Sequence, residues 1–152
     1  MAQNQHVTIL VVDDDEGHIE LVRRSFRRTG ISNLITSVTS GSDALDYVFG
    51  RGAYANRPGT SDLLILLDIR MPGAYDGIEV LRQIKADPTT KSIPVIMLTT
   101  TDDPREINRC YELGCNVYIT KPVESTAFIE AINRLGLLIS VMKMPTVPEK
   151  LA

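Results

Sequence analysis

The feature that most limits what this chain can become is an alternation. Five short apolar runs, at residues 7–12, 34–39, 63–67, 94–98 and 116–120, are separated by segments whose apolar residues recur at helical spacing. Ile19, Val22 and Phe26 share one face, as do Ala44, Leu45 and Val48, and then Val80, Leu81 and Ile84. Two more stripes follow, Ile107, Cys110, Tyr111 and Leu113, then Phe128, Ile129, Ile132 and Leu135. Strands alternating with amphipathic helices predict a parallel sheet joined by crossover helices, in the order (βα)5. The runs 63–67 and 95–98 are apolar at every position, the pattern of central strands covered on both faces. Helix punctuation agrees: Gly30 follows the first helix, Asp103-Pro104 opens the fourth and Gly114 closes it.

A chain of 152 residues that is 43% apolar can bury roughly 68 to 70% of its unfolded surface, enough for a core without disulfides or structural metal. We expect one domain over residues 1–136 and an extension over 137–152, where six of the eight residues 137–144 are apolar before Pro145 and Pro148. The arm either folds back on its own domain or lies across a second subunit, and a homodimer is the expectation. Residues 50–62 form a polar loop longer than usual, either an insertion or a contact surface. Cys110 and Cys115 are too few for a disulfide framework and lack the companions of a zinc site, so they are expected reduced. A net charge of −3 argues against a nucleic-acid partner. Neither a long apolar run nor an export pattern is present, so no membrane association and a cytoplasmic location are expected.

In an open parallel sheet, ligands sit beyond the carboxyl ends of the strands. There the first strand ends in Asp13-Asp14-Asp15, the third in Asp68, the fourth in Thr99-Thr100-Thr101 and the fifth in Lys121-Pro122. Clustered hard oxygen ligands favour Mg²⁺, which accepts a carboxylate or two together with phosphate oxygens. A hydroxyl and an ammonium opposite the ion would hold the remaining oxygens during phosphoryl transfer, and the acceptor would be a carboxylate. Taken singly, each group has a plainer reading: an Asp after a strand is commonly a helix N-cap, and Asp15 is expected at or near one. The joint occurrence at four strand ends carries the functional reading. His18 reads as an exposed helix residue, and neither it nor His6 supports histidine catalysis. Arg23, Arg24, Arg27 and Arg28 form a basic stripe, either a solvated face with Glu20 and Arg24 paired or a surface that steers a partner.

Four stretches, Val11-Val12-Asp13-Asp14, Leu66-Leu67-Asp68-Ile69-Arg70-Met71-Pro72 with Asp76-Gly77, Met97-Leu98-Thr99-Thr100, and Tyr118-Ile119-Thr120-Lys121-Pro122, resemble the receiver domain of two-component response regulators. The resemblance spans residues 7–136 and implies an α/β, flavodoxin-like, doubly wound sheet of strand order 2-1-3-4-5. It implies Asp68 as phosphoacceptor, with Thr99 and Lys121 contacting the phosphoryl group. It further implies Mg²⁺ held by Asp13, Asp14, Asp68 and the backbone carbonyl of Arg70, and a cis Lys121-Pro122 peptide. Thr99 and Tyr118 would be the switch pair, although Tyr118 reads equally as core with its hydroxyl at the surface. The loop 71–75 is one residue longer than the family pattern.

With about 15 residues after the fifth helix, the expectation is a stand-alone receiver and not an enzyme, with slow self-dephosphorylation. Its partner would be a sensor histidine kinase or a histidine phosphotransfer protein. The loop after the second helix, Tyr111-Glu112-Leu113 and the apolar extension are similar to the small response regulators that serve phytochrome-type kinases. One rival is a phosphatase resembling the haloacid dehalogenase family, with Asp13 as nucleophile and Asp15 completing its Asp-x-Asp. Gly17 and the lack of an acidic pair after Lys121 oppose it.

Overall fold

A computed structural model describes residues 7–57 and 62–142. The strands β1 (Thr8–Val12), β2 (Ile35–Val38), β3 (Leu63–Leu67), β4 (Val95–Thr99) and β5 (Val117–Thr120) form one parallel sheet in the order β2-β1-β3-β4-β5. The helices are α1 (Glu16–Arg28), α2 (Gly41–Phe49), α3 (Gly77–Ala86), α4 (Pro104–Leu113) and α5 (Ser125–Val141). This is the doubly wound architecture read from the alternation.

Period-two alternation along each strand divides the core into two layers. Leu63, Ile65 and Leu67 pack with Leu10, Val12, Val80, Leu81 and Ile84, on the side of α2, α3 and α4. Leu64 and Leu66 face the other way, onto Val22, Phe26, Phe128 and Ile132 of α1 and α5. β1, β3 and β4 are buried at every residue, and their sequences are apolar throughout except for Thr8 at the start of β1 and Thr99 at the end of β4. β5 is one of the two edge strands, with Val117 and Thr120 exposed.

Helix ends follow local chemistry. Asp15, Ser40, Asp76, Asp103 and Glu124 each accept backbone N–H groups at the start of a helix, which satisfies donors the helix itself cannot. Asp15 is thus an N-cap, as expected. Gly114 ends α4 at φ +112°, where a side chain would be strained. Arg23 and Arg27 do not present free guanidinium groups: Arg23 donates to the Ile35 carbonyl, and Arg27 to the carbonyls of Ile31 and Asn33. Half of the basic stripe therefore clamps α1 to the β2 side of the sheet, while Arg24 pairs with Glu20 at 3.3 Å.

The division expected at Gly136 is not a structural break, since α5 continues through it to Val141. A Cβ on Gly136 would sit 2.6 Å from Thr29 Oγ1 and 3.2 Å from Phe26. The glycine allows α5 to approach α1 closely; it does not end the helix. Beyond it Ile139 is buried, whereas Leu137, Leu138 and Val141 are 57%, 54% and 71% exposed. Residues 143–152 of the expected arm lie outside the described residues. The first half of the long loop is bound to α2: Tyr54 packs edge-on against Tyr47 at 5.1 Å, and the Arg57 guanidinium lies 4.7 Å over the same ring. No helix among the described residues is long and apolar enough to cross a membrane.

The turn from β3 into α3 leaves no room for a side chain at Gly77, where an added Cβ would collide with the carbonyl oxygen of Asp68. Gly77→Ala is expected to lower stability by about 1–3 kcal/mol, the usual range for overpacking. Urea denaturation followed by circular dichroism measures it, and an unchanged midpoint would show that the turn yields without cost.

Candidate functional site

Strand register builds the site. Val12 pairs with Leu67, so Asp13 and Asp68 are the next residues of two neighbouring strands. The ladder continues into them, with the Asp68 amide donating to the Val12 carbonyl at 3.0 Å and the Asp13 amide to that of Val38 at 3.2 Å. Thr99 pairs with Thr120, and the Lys121 amide donates to the Thr99 carbonyl at 2.6 Å, which places Lys121 across from the acids.

The Lys121 ammonium joins the two strands. Nζ lies 2.6 Å from Asp13 Oδ2 and 3.2 Å from Asp68 Oδ2, and the three residues are 3%, 4% and 8% exposed. Asp13 Oδ1 also accepts the Asp15 amide at 2.9 Å. Burial pushes the Asp13 carboxyl above its ordinary range and the nearby Asp68 charge adds to this, against the opposing pull of Lys121 and the Asp15 amide. The Lys121-Pro122 peptide is trans, as are all peptides of the described residues, so the expected cis bond is corrected. Trans is the cheaper form even before proline, by about 0.5–1 kcal/mol, and Lys121 reaches both carboxylates from it.

Asp14 is exposed, yet one oxygen from each of Asp13, Asp14 and Asp68 can be chosen so that all lie within 4.8 Å of one another. Three carboxylates with one ammonium between two of them leave negative charge to be neutralised, and their oxygens suit a hard divalent cation. Close by in the fold, Thr99 Oγ1 is fully buried with no hydrogen-bond partner among the described residues. A buried hydroxyl without a partner costs free energy unless something arrives to accept from it. The donor set therefore fits both a cation and an oxyanion.

A second network ties the neighbouring loops together. Arg70 Nε donates to Thr101 Oγ1 at 3.2 Å, and Arg70 Nη2 lies 3.6 Å from Glu106 on α4. The Tyr118 hydroxyl donates to the Thr101 carbonyl at 2.7 Å, while its amide donates to Tyr111 Oη at 3.0 Å. Tyr118 is half-buried, with its ring against the core. In the longer 71–75 loop, Gly73 takes φ +104°, and Tyr75 sits over Gly41, where an added Cβ would collide with the Tyr75 carbonyl.

Sequence reasoning placed Asp13, Asp14, Asp68, Thr99 and Lys121 at one sheet edge, and there the structure brings them together. It missed His18, which is only half exposed: its Nδ1 stands 3.0 Å from Lys121 Nζ, and its ring packs 5.2 Å from that of Phe128. Its position four residues after Asp14, in the first turn of α1, was the available signal.

A doubly wound sheet with buried acids and a lysine at its switch point, where the strand order reverses between β1 and β3, defines a class of phosphoacceptor signalling modules. Residues 9–133 match the family of the response regulator receiver domain, and the chain belongs to it. The response regulator Rcp1 of Synechocystis is 36% identical over 118 residues, 78% of each chain. A crystal structure of a receiver domain from Rhodospirillum rubrum is 46% identical, covers 92% of this chain and 98% of its own, and superposes with a TM-score of 0.83. The phosphorylated cyanobacterial phytochrome response regulator RcpA is 33% identical, with coverage of 93% and 99% and a TM-score of 0.84. The phosphatase reading finds no support here, and Asp15, which it required as a partner of Asp13, is occupied in capping α1.

Burial pushes the Tyr118 phenol up to about 12. Above the ordinary phenol range near 10 the unfolded chain ionises while the folded one does not, so this contribution is complete below pH 10 and is lost as pH rises toward 12. Absorbance titration is expected to show a late tyrosinate transition that disappears in Tyr118→Phe. A wild-type profile completed near pH 10 in the folded state would contradict the buried, donating hydroxyl.

Proposed function

We propose that this protein accepts a phosphoryl group on Asp68 from a phosphohistidine, in a Mg²⁺-dependent reaction, and thereby switches a protein-interaction face. The Thr99 hydroxyl, buried without a hydrogen-bond partner among the described residues at the end of the strand next to the one that delivers Asp68, carries the reading. An Asp68 oxygen forms the new bond to phosphorus, the phosphorus–nitrogen bond of the donor breaks, and the imidazole leaves with a proton from solvent. Lys121 holds one phosphoryl oxygen from the position it already occupies beside Asp68, and Thr99 brings its hydroxyl to another. Asp13, Asp14, Asp68 and the Arg70 carbonyl would hold Mg²⁺, which when bound neutralises charge on the phosphoryl oxygens. Slow hydrolysis of the acyl phosphate would reset the protein.

The readout begins at Thr99. As its hydroxyl moves to the phosphoryl group, the Thr99–Thr101 segment shifts, and Tyr118, bonded to the Thr101 carbonyl, follows. The face of α4, β5 and α5 then changes shape. A phytochrome-type histidine kinase is the partner we favour, because Rcp1 and RcpA are response regulators of the same fold and RcpA is named for phytochrome. A histidine phosphotransfer protein would meet the same site. The apolar side chains of Leu137, Leu138 and Val141, exposed on the last turns of α5, favour a homodimer in which residues 137–152 contribute to the contact. A cytoplasmic location follows from a cytoplasmic kinase domain as donor.

Incubation with Mg²⁺ and acetyl phosphate is expected to add one phosphoryl group, absent in Asp68→Asn and retained in Asp15→Asn, as read by intact mass and peptide mapping. Mapping to Asp13, or rapid turnover of phosphate esters, would instead favour hydrolase chemistry. Mg²⁺ alone should raise the melting temperature of the wild type in a concentration-dependent way and do so far less in Asp13→Asn. For assembly, light scattering is expected to give a dimer that Leu138→Asp with Val141→Asp converts to monomer, and a monomeric wild type would end the dimer proposal.

A further inference from the structure

An ammonium group has three hydrogens and no acceptor. Around Lys121 Nζ stand three acceptors, Asp13 Oδ2 at 2.6 Å, His18 Nδ1 at 3.0 Å and Asp68 Oδ2 at 3.2 Å. Opposite a group that can only donate, Nδ1 must accept, which leaves the ring proton on Nε2. That nitrogen faces Asp15 Oδ2 at 3.6 Å. The other oxygen of Asp15 is held by the amides of Gly17 and His18, at 2.8 and 3.2 Å, where it caps α1. The carboxylate that starts the helix thus lies beside the imidazole, beyond hydrogen-bond distance.

We propose that His18 is a positioning residue for phosphoryl transfer: its Nδ1 holds the Lys121 ammonium in place. This rests on the reading of Asp68 as phosphoacceptor. When Asp68 is phosphorylated, the ammonium exchanges its bond to Asp68 for one to a phosphoryl oxygen. Asp13 cannot be its sole remaining anchor, because the same carboxylate is placed to hold the cation. The imidazole supplies the second anchor from α1, and its ring is braced by Phe128 of α5 at 5.2 Å. An accepting imidazole is uncharged. It therefore adds no negative charge to repel the incoming phosphate, as a carboxylate would, and no positive charge to compete with Lys121 for the acids.

Two measurements test the proposal. In the metal-free protein with ¹⁵N-labelled histidine, nuclear magnetic resonance is expected to show the His18 proton on Nε2, and an Nδ1 resonance that moves when Lys121 is replaced by Met. A proton on Nδ1, or no response to Lys121→Met, overturns the assignment. For kinetics, His18→Phe keeps a ring against Phe128 but has no acceptor, whereas His18→Asn can place Oδ1 near the position of Nδ1. With Mg²⁺ and acetyl phosphate, His18→Phe is expected to be labelled about tenfold more slowly, the factor carried by one hydrogen bond to a charged group, and His18→Asn at close to the wild-type rate. Equal rates in all three proteins, or an equal loss in both variants, overturn it, with thermal melting reporting whether each is folded. If even the wild type is not labelled at Asp68, the phosphoacceptor reading is what fails, and the resonance measurement, which needs no phosphodonor, still decides the role of His18.

Discussion

Everything at the carboxyl edge of the sheet depends on one buried ammonium. The parallel register of β1 and β3 forces Asp13 and Asp68 into adjacent positions beneath the surface, where two like charges raise each other's free energy. Lys121, arriving from β5 at the far edge of the sheet, lies between them within hydrogen-bond distance of both. Removing one member of such a buried set leaves an uncompensated charge, which is far costlier than the net worth of the pair. The same arrangement is suited to exchange: an ammonium shared between two carboxylates can yield one of them to a phosphoryl oxygen without leaving the site.

Two side-chain systems extend from this point in opposite directions. Toward α1, Lys121 meets His18, and His18 meets the helix cap at Asp15 and the ring of Phe128. Toward α4, Arg70 reaches Thr101 and Glu106, and Tyr118 is fastened to the Thr101 carbonyl. In the first system Lys121 and Phe128 are buried and the His18 ring is braced on Phe128, as suits a group that must stay still, while the capping Asp15 is exposed. The second runs through loops and half-exposed side chains, where opening is cheaper and a shape change can be expressed.

The architecture was legible because burial on both faces writes itself into residues 63–67 and 95–98 as unbroken apolar runs, and because capping residues such as Asp103 and Gly114 act within a few residues of chain. The acids, Thr99 and Lys121 were legible for a related reason: each directly follows or ends a strand, and parallel strands deliver their ends to one edge. The boundary drawn at 136 rested on the apolar run that follows it, and the sequence does not show that Gly136 lets two helices touch. Only the proximity of Thr29 and Phe26 does. His18 was misread for a similar reason: its helical face was visible, but the arrival of Lys121, 103 residues later, was not.

By itself the sequence determined the element order, the two-sided core and the identity of the chemical groups at the strand ends, because these follow from periodicity and from contacts between near neighbours in the chain. Tertiary structure decided which of those groups touch: that Lys121 lies between Asp13 and Asp68, that Thr99 keeps a buried hydroxyl without a partner among the described residues, and that α5 runs closely past α1 at Gly136. Such contacts join residues far apart along the chain. Their distances are set by sheet register and helix packing, quantities that no local pattern encodes.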